Sequence, residues 1–197
     1  MTTTNTTTAA KRCCGTSVGA RVRRRTTTGW EYLLIGRGWW PLGQAPVAGH
    51  VRDAHTDVVA ALLAEMAEET GLTVAGYRFL HEGYLPNLCA SLPAQPRAGH
   101  YWWIYDATVT GTLTPDPEET TGAGWVDADR LQELADITIC HAADARPARD
   151  LPPQALEAVW VEHLARTGDI QATTDERKIV ARLYTVAPDA YWLGGRP

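Results

Sequence analysis

The segment from Asp57 to Gly71 constrains the chain most. Val59, Leu62, Leu63 and Met66 recur every three or four residues, the spacing of a single helical stripe. Asp57 suits the start of that helix and Gly71 its stop. Glu65, Glu68 and Glu69 stand at i, i+3 and i+4, so three carboxylates share one side of the same helix. At about 100° per residue, that side lies about 110° from the apolar stripe. The stripe is expected in the core and the carboxylates in a cleft. Like charges at this spacing repel by roughly a few tenths of a kcal/mol per pair. They also crowd the C-terminal half, where the helix dipole disfavours anions. A cation reverses this balance, and carboxylate oxygens suit Mg²⁺ or Mn²⁺ shared with phosphate oxygens and water. A bare E-x-x-E-E is usually the pattern of a solvated acidic face, so the surrounding order decides.

Before the helix, Val18, Ala20 and Val22 alternate along residues 17–25, a strand pattern. Thr26 to Gly29 supply a turn into a second strand over residues 30–35, and the pair reads as a hairpin. Residues 36–46 are a Gly- and Pro-rich loop carrying Trp39 and Trp40. After the helix, residues 73–84 and 100–110 are rich in aromatic and β-branched side chains and read as strands. An irregular, proline-containing loop, residues 85–98, separates them. A strand ending at Trp125 leads to a short helix over residues 127–134. Residues 141–153 form a polar connector. Helices follow over 154–166, with Leu156, Val159, Trp160 and Leu164 inward, and over 175–185. Strands on both sides of one central helix predict α/β layers around a mixed sheet.

Composition sets outer limits. A chain of 197 residues fits one domain with appendages. Residues 1–12 are Thr-rich and poor in apolar anchors, and are expected to form a disordered tail. Residues 13–140 are expected to form the domain and 141–197 a helical extension packed on it. A formal charge of -5 excludes coating of nucleic acid through bulk positive charge, but not binding of a small phosphorylated ligand. No apolar run is long enough to span a membrane, and the N-terminus lacks the pattern of a signal peptide. Cys13, Cys14, Cys89 and Cys140 show no C-x-x-C spacing, so neither a zinc site nor a disulfide scaffold is expected. Cysteine usage predicts a cytoplasmic protein with reduced thiols.

The order Gly49 to Leu72, GHVRDAHTDVVAALLAEMAEETGL, resembles the Nudix box of the Nudix hydrolase superfamily, G-x5-E-x7-R-E-U-x-E-E-x-G-U, with U a bulky aliphatic residue. The half from Ala64 to Leu72 departs only at Ala64, where the box has Arg. Gly49 lies one residue upstream of strict register. The first box Glu falls on Thr56, or on His55 without a gap. The resemblance implies an α/β/α sandwich around a mixed β-sheet. It also implies Mg²⁺- or Mn²⁺-dependent cleavage of a diphosphate linked to another moiety, commonly a nucleoside. Glu65, Glu68 and Glu69 become metal ligands, with the Gly49 carbonyl as a further oxygen. Glu68 or Glu69 becomes the group that takes a proton from the attacking water. Asp53 and Asp57 stand close enough in sequence to replace part of the missing charge.

Further candidates surround the box. Glu118 and Glu119 precede Trp125 in a loop where the resemblance suggests an extra acidic ligand or base. Arg21, Arg23, Arg24 and Arg25 lie along the first strand; Arg23 is a candidate phosphate contact, although charge on a solvent-facing edge strand reads the same way. Trp40 and Trp102 are candidate stacking partners for a base. Trp102 and Trp103 point to opposite faces, so only one of them reaches a cleft. His50, His55 and His81 show no cluster spacing. A small phosphorylated substrate is the expected partner, and exposed aromatic surface would suit a homodimer. The leading reading is a diphosphate hydrolase. A Nudix-fold binding or regulatory domain that does not turn over its ligand is the second, and a prenyl diphosphate isomerase the third.

Overall fold

The protein is described by a computed structural model covering residues 12–52, 55–91 and 98–186. Except for Arg12, the expected tail lies outside the described residues. So do Asp53, much of the expected loop between the two long strands, and the last eleven residues.

Among the described residues, seven strands form one mixed sheet around β1, Thr16–Arg25. Its second half pairs antiparallel with β2, Trp30–Gly36, through the expected turn, where the Thr26 N–H donates to the Gly29 carbonyl at 2.8 Å. Its first half lies between β4, Val47–His50, which is antiparallel, and β6, His100–Thr110, which is parallel. β5, Thr73–Leu85, pairs antiparallel with β6 and forms an edge. The short β3, Gln44–Ala45, and β7, Ala123–Asp127, pair with β2. β1 is therefore central. This corrects the edge-strand reading of its arginines.

Arg21 is buried. Its Nε donates to Asp106 at 2.9 Å and its Nη1 to Asp169 at 2.7 Å. A buried guanidinium requires such partners, and Asp169 comes from the far end of the chain. The Tyr32 hydroxyl also donates to Asp169, at 3.0 Å.

Among the described residues, four α-helices complete the layers. Helix α1, Val58–Thr70, starts where Asp57 accepts the Ala60 N–H at 2.8 Å and stops at Gly71, whose φ of 70° is left-handed. Its buried residues are Ala61, Leu62, Met66, Glu69 and Thr70, whereas Leu63 is 42% exposed. The stripe is thus rotated from the expected one. Leu62, Met66 and Glu69, at i, i+4 and i+7, share the inward face, because α1 packs on β4 as well as on β1.

Helix α2, Ala128–Ala143, is twice the length expected, continuing through Thr138 and His141, which are both buried. The Thr138 hydroxyl donates to Leu134 and Leu156 carbonyls, so a polar residue fits the core side. Helix α3, Ala158–Arg166, starts four residues later than expected. The preceding residues run beside β3 instead: the Gln44 N–H donates to Ala155 at 2.7 Å and the Glu157 N–H to Gln44 at 2.8 Å. Helix α4, Thr174–Thr185, opens with a reciprocal cap between Thr173 and Glu176.

Trp160 of α3 packs over Gly19 so closely that a Cβ there would lie 2.6 Å from the indole. Leu156, Val159, Trp160, Leu164, Val180 and Leu183 join the same core as β1, β2 and α1.

Candidate active site

The three box carboxylates are graded by depth. Glu69 is buried and accepts the Ala48 N–H at 3.3 Å. Glu65 is partly covered and Glu68 is exposed. The helical phase explains the grading: Glu69 falls on the inward stripe, Glu65 on its border and Glu68 beyond it. They share a side of α1, but only Glu68 is exposed there, while Glu65 is partly covered and Glu69 is buried.

Gly49 meets this helix directly. A Cβ at Gly49 would lie 1.7 Å from Glu65 Oε1, so only glycine lets the end of β4 come this close to the carboxylate. The register places Gly49 opposite Val18 in β1. The sheet thus sets the position of the Gly49 backbone relative to Glu65. Residues 53 and 54, between Gly49 and α1, lie outside the described residues. His55, one of two positions for the missing box Glu, has Nε2 4.0 Å from Glu65 Oε1.

Burial dominates the electrostatics. It pushes the Glu65 carboxyl up to about 7, and the charge of Glu68 adds to the push. It pushes Glu69 up to about 8, against the opposing pull of Arg37. Charge on Glu119 raises both carboxyls as well. A set of acids that resists ionisation when bare suits a divalent cation, whose charge replaces the proton. Carboxylate oxygens beside a closely approaching backbone are hard oxygen donors of the kind a divalent cation takes.

Of the loop acids, Glu119 is electrostatically coupled to the box and Glu118 is exposed, its N–H donating to Asp116 at 2.8 Å. The loop is fastened to the end of β2: the Thr121 N–H donates to Gly36 at 3.0 Å, and Gly36 N–H to Gly122 at 2.8 Å.

Two aromatic and basic candidates have other employment. Trp102 is buried and its indole N–H donates to Asn87 Oδ1 at 2.9 Å, so it is a core residue and not a stacking platform. Its neighbour Trp103 is only half-buried, against Tyr101. Arg23 lies 3.6 Å from Asp106 and 3.7 Å from Asp169, with its guanidinium 4.6 Å above the Trp30 ring. Those partners already neutralise it. Trp40 is half-buried in the loop that also carries Arg37.

Sequence reading missed Arg37 and Glu157. Arg37 follows β2, and its charge opposes the burial effect on Glu65, Glu69 and Glu157 alike. It lies 3.9 Å from Glu157 Oε2. Burial pushes the Glu157 carboxyl up to about 7. With Ala64 at the box arginine position, Arg37 supplies a positive charge from another element. A lone Arg in a loop carries no periodic signal, and Glu157 is 120 residues away in sequence.

A NUDIX domain model matches residues 16–151, most of the chain. No curated protein matches it. Among solved structures, the NUDIX domain of Shewanella oneidensis NrtR complexed with ADP ribose is 14% identical, with a TM-score of 0.51 over 80% of this chain and 90% of that one. A MutT/nudix family protein from Enterococcus faecalis is 20% identical, with a TM-score of 0.47 over 58% of this chain; the match spans only 44% of that protein. A MutT NUDIX hydrolase from Burkholderia pseudomallei is 21% identical, with a TM-score of 0.46 over 58% of this chain and 83% of that one. The domain match covers β1 through α2 and includes the whole carboxylate helix with its glycine approach. The chain belongs to the NUDIX domain family.

Proposed function

We propose that the protein is a Mg²⁺- or Mn²⁺-dependent hydrolase that cleaves a diphosphate linkage in a nucleoside diphosphate-linked compound or a nucleoside triphosphate. Membership of the family supports hydrolase chemistry with a divalent cation. The observation that carries the reading is the contact of Gly49 with Glu65 beside buried Glu69. Glu65, Glu68 and Glu69, with the Gly49 carbonyl, would hold the metal. Such a cation neutralises phosphate charge and makes bound water easier to deprotonate.

The chain's own residues do the rest. Glu69 is fixed at depth by the Ala48 N–H. Glu68 meets solvent and takes the proton from the attacking water, with Glu69 as the alternative base. Arg37 offsets the acidic surroundings and would offer its charge to a phosphate oxygen. Trp40, Glu118 and Glu119 stand on the two loops at the end of β2 and would border the substrate. Arg23 and Trp102 have no place in this reading.

The ADP ribose bound to the Shewanella domain makes ADP-ribose the first compound to try. A second reading, a weak or inactive nucleotide-binding domain, is favoured by Ala64 at the box arginine and by the missing first Glu. The division into a tail, a domain over residues 13–140 and an extension from 141 belongs to the proposal, as does a cytoplasmic location. None of the helices among the described residues is long and apolar enough to cross a membrane. A homodimer would form through β5, where Tyr77 and Phe79 are exposed on the sheet edge.

A panel of ADP-ribose, other nucleoside diphosphate sugars, nucleoside triphosphates and dinucleoside polyphosphates, with each metal, tests the function. Product release that disappears in Glu68→Gln and Glu69→Gln supports hydrolysis. Binding without turnover across the panel selects the second reading.

A further inference from the structure

Four side chains that sequence spacing keeps apart meet behind the carboxylate site. Cys13 precedes β1, His50 ends β4, Cys89 follows β5 and His100 opens β6. Because β1 lies between β4 and β6, with Ser17 opposite His50 and Thr16 opposite Tyr101, these ends converge at one end of the sheet. One ligand atom from each of the four lies within 4.8 Å of all the others.

We propose that Cys13, His50, Cys89 and His100 form a structural zinc site. Two of the separations match the edges of a tetrahedron and a third is about 0.5 Å shorter. Zinc bonds of about 2.3 Å to sulfur and about 2.0–2.1 Å to nitrogen give edges of about 3.3 Å between nitrogens and about 3.5 Å between nitrogen and sulfur. His50 Nε2 lies 3.2 Å from His100 Nε2. Cys13 Sγ lies 3.5 Å from His50 Nε2 and 3.0 Å from His100 Nε2.

The surroundings orient His100 and put a backbone donor on each sulfur. His100 is buried, and its Nδ1 lies 2.9 Å from the Asn87 carbonyl. A carbonyl only accepts, so Nδ1 carries the proton and the neutral ring presents the Nε2 lone pair to the cluster. Asn87 is itself held by the buried Trp102 indole. Both sulfurs accept a backbone N–H from two residues on, Gly15 to Cys13 at 3.3 Å and Ser91 to Cys89 at 3.5 Å. These N–H donors suit a thiolate, the form that binds metal, whereas the neighbouring Cys89 thiol and burial push the bare Cys13 thiol up, so that a metal would take the place of its proton. Two thiolates and two imidazoles select zinc over Mg²⁺ or Mn²⁺, and four protein ligands leave no open position.

The site has a positioning role. Consecutive residues of a strand point to opposite faces. Gly49 faces Glu65 on α1, while His50 faces His100 on the other side. Zinc ligation of His50 would thus anchor the residue next to the one that must approach the carboxylate. The spacing rule that led to no expected zinc site looks for neighbours along the chain, whereas here the sheet assembles ligands from four separate segments.

The test uses the full chain, purified without chelator or added metal. Mass spectrometric metal analysis is expected to find about one zinc ion per chain. The content should fall about tenfold or more in Cys13→Ser and Cys89→Ser, and stay unchanged in Cys14→Ser and Cys140→Ser. Cobalt exchanged into the wild-type protein should show tetrahedral d–d bands with thiolate charge transfer, a readout that needs no variant to fold. Three results would overturn the proposal: a zinc-free folded protein that takes up no tetrahedral cobalt, a disulfide between Cys13 and Cys89, or zinc retained in Cys13→Ser.

Discussion

Gly49 is the residue at which space is tightest. Any side chain there would occupy the position of the Glu65 carboxylate. Gly49→Ala is expected to lower turnover about 100-fold, the scale of an ångström of misplacement at a reacting centre. Steady-state kinetics on a compound hydrolysed by the wild type, with a melting curve to show that the variant folds, checks this. Arg37 is the positive side chain that acts on Glu65, Glu69 and Glu157 together. In metal-free Arg37→Ala all three carboxyls should titrate at higher pH than in the wild type. Carboxyl-carbon NMR of glutamate-labelled protein reads that shift, and unchanged titration would remove Arg37 from the site. Neither residue announces its role locally. Gly49 is legible only through the resemblance of the segment it opens, and Arg37 only through the folded position of the loop after β2.

At the scale of elements, α1 links stability to pH. Its carboxyls Glu65 and Glu69 have folded-state values raised from 4.5 to about 7 and about 8, chiefly by burial. A raised carboxyl keeps its proton in the folded chain where the unfolded chain has lost it. Its stabilising contribution is complete below about 4.5 and is lost as pH rises through about 7 to 8. The metal-free protein should therefore melt lower at pH 8.5 than at pH 6, at about constant ionic strength. Millimolar Mg²⁺ should raise the melting temperature most at the higher pH, where the carboxyls are ionised. A melting curve indifferent to Mg²⁺ at both values would count against the site. The ends of α1 were legible because Asp57 and Gly71 are strong boundary residues. Its phase was not, since hydrophobicity alone draws Leu63 inward and leaves Glu69 out. β5 and β6 were legible from their aromatic and β-branched runs. β4 was not: four residues containing a glycine are held by pairing with β1 and carry little pattern of their own. The start of α3 was displaced by pairing with β3, which no local propensity encodes.

For the whole molecule, Glu157 and Asp169, far along the chain, are part of the structure around the carboxylates. Asp169 ties Arg21 of the central strand, and Glu157 stands against Arg37. Asp169→Ala leaves buried Arg21 with one carboxylate fewer and is expected to cost about 3 kcal/mol, read by urea denaturation. A loss under about 0.5 kcal/mol, the size of an exposed pair, would contradict that role. The same dependence on distant partners explains why the fold class was readable and the complete site was not: the carboxylate helix is contiguous, while its neighbours arrive from β4, two loops and the start of α3. The central claim is that the α1 carboxylates hold a divalent cation. Mn²⁺ binding followed by electron paramagnetic resonance in wild type and Glu65→Gln tests it most directly, with both proteins shown to fold. The account predicts saturable binding in the wild type and affinity weaker by about tenfold or more in the variant. Equal affinity in the two proteins, or no binding in the wild type, would contradict it.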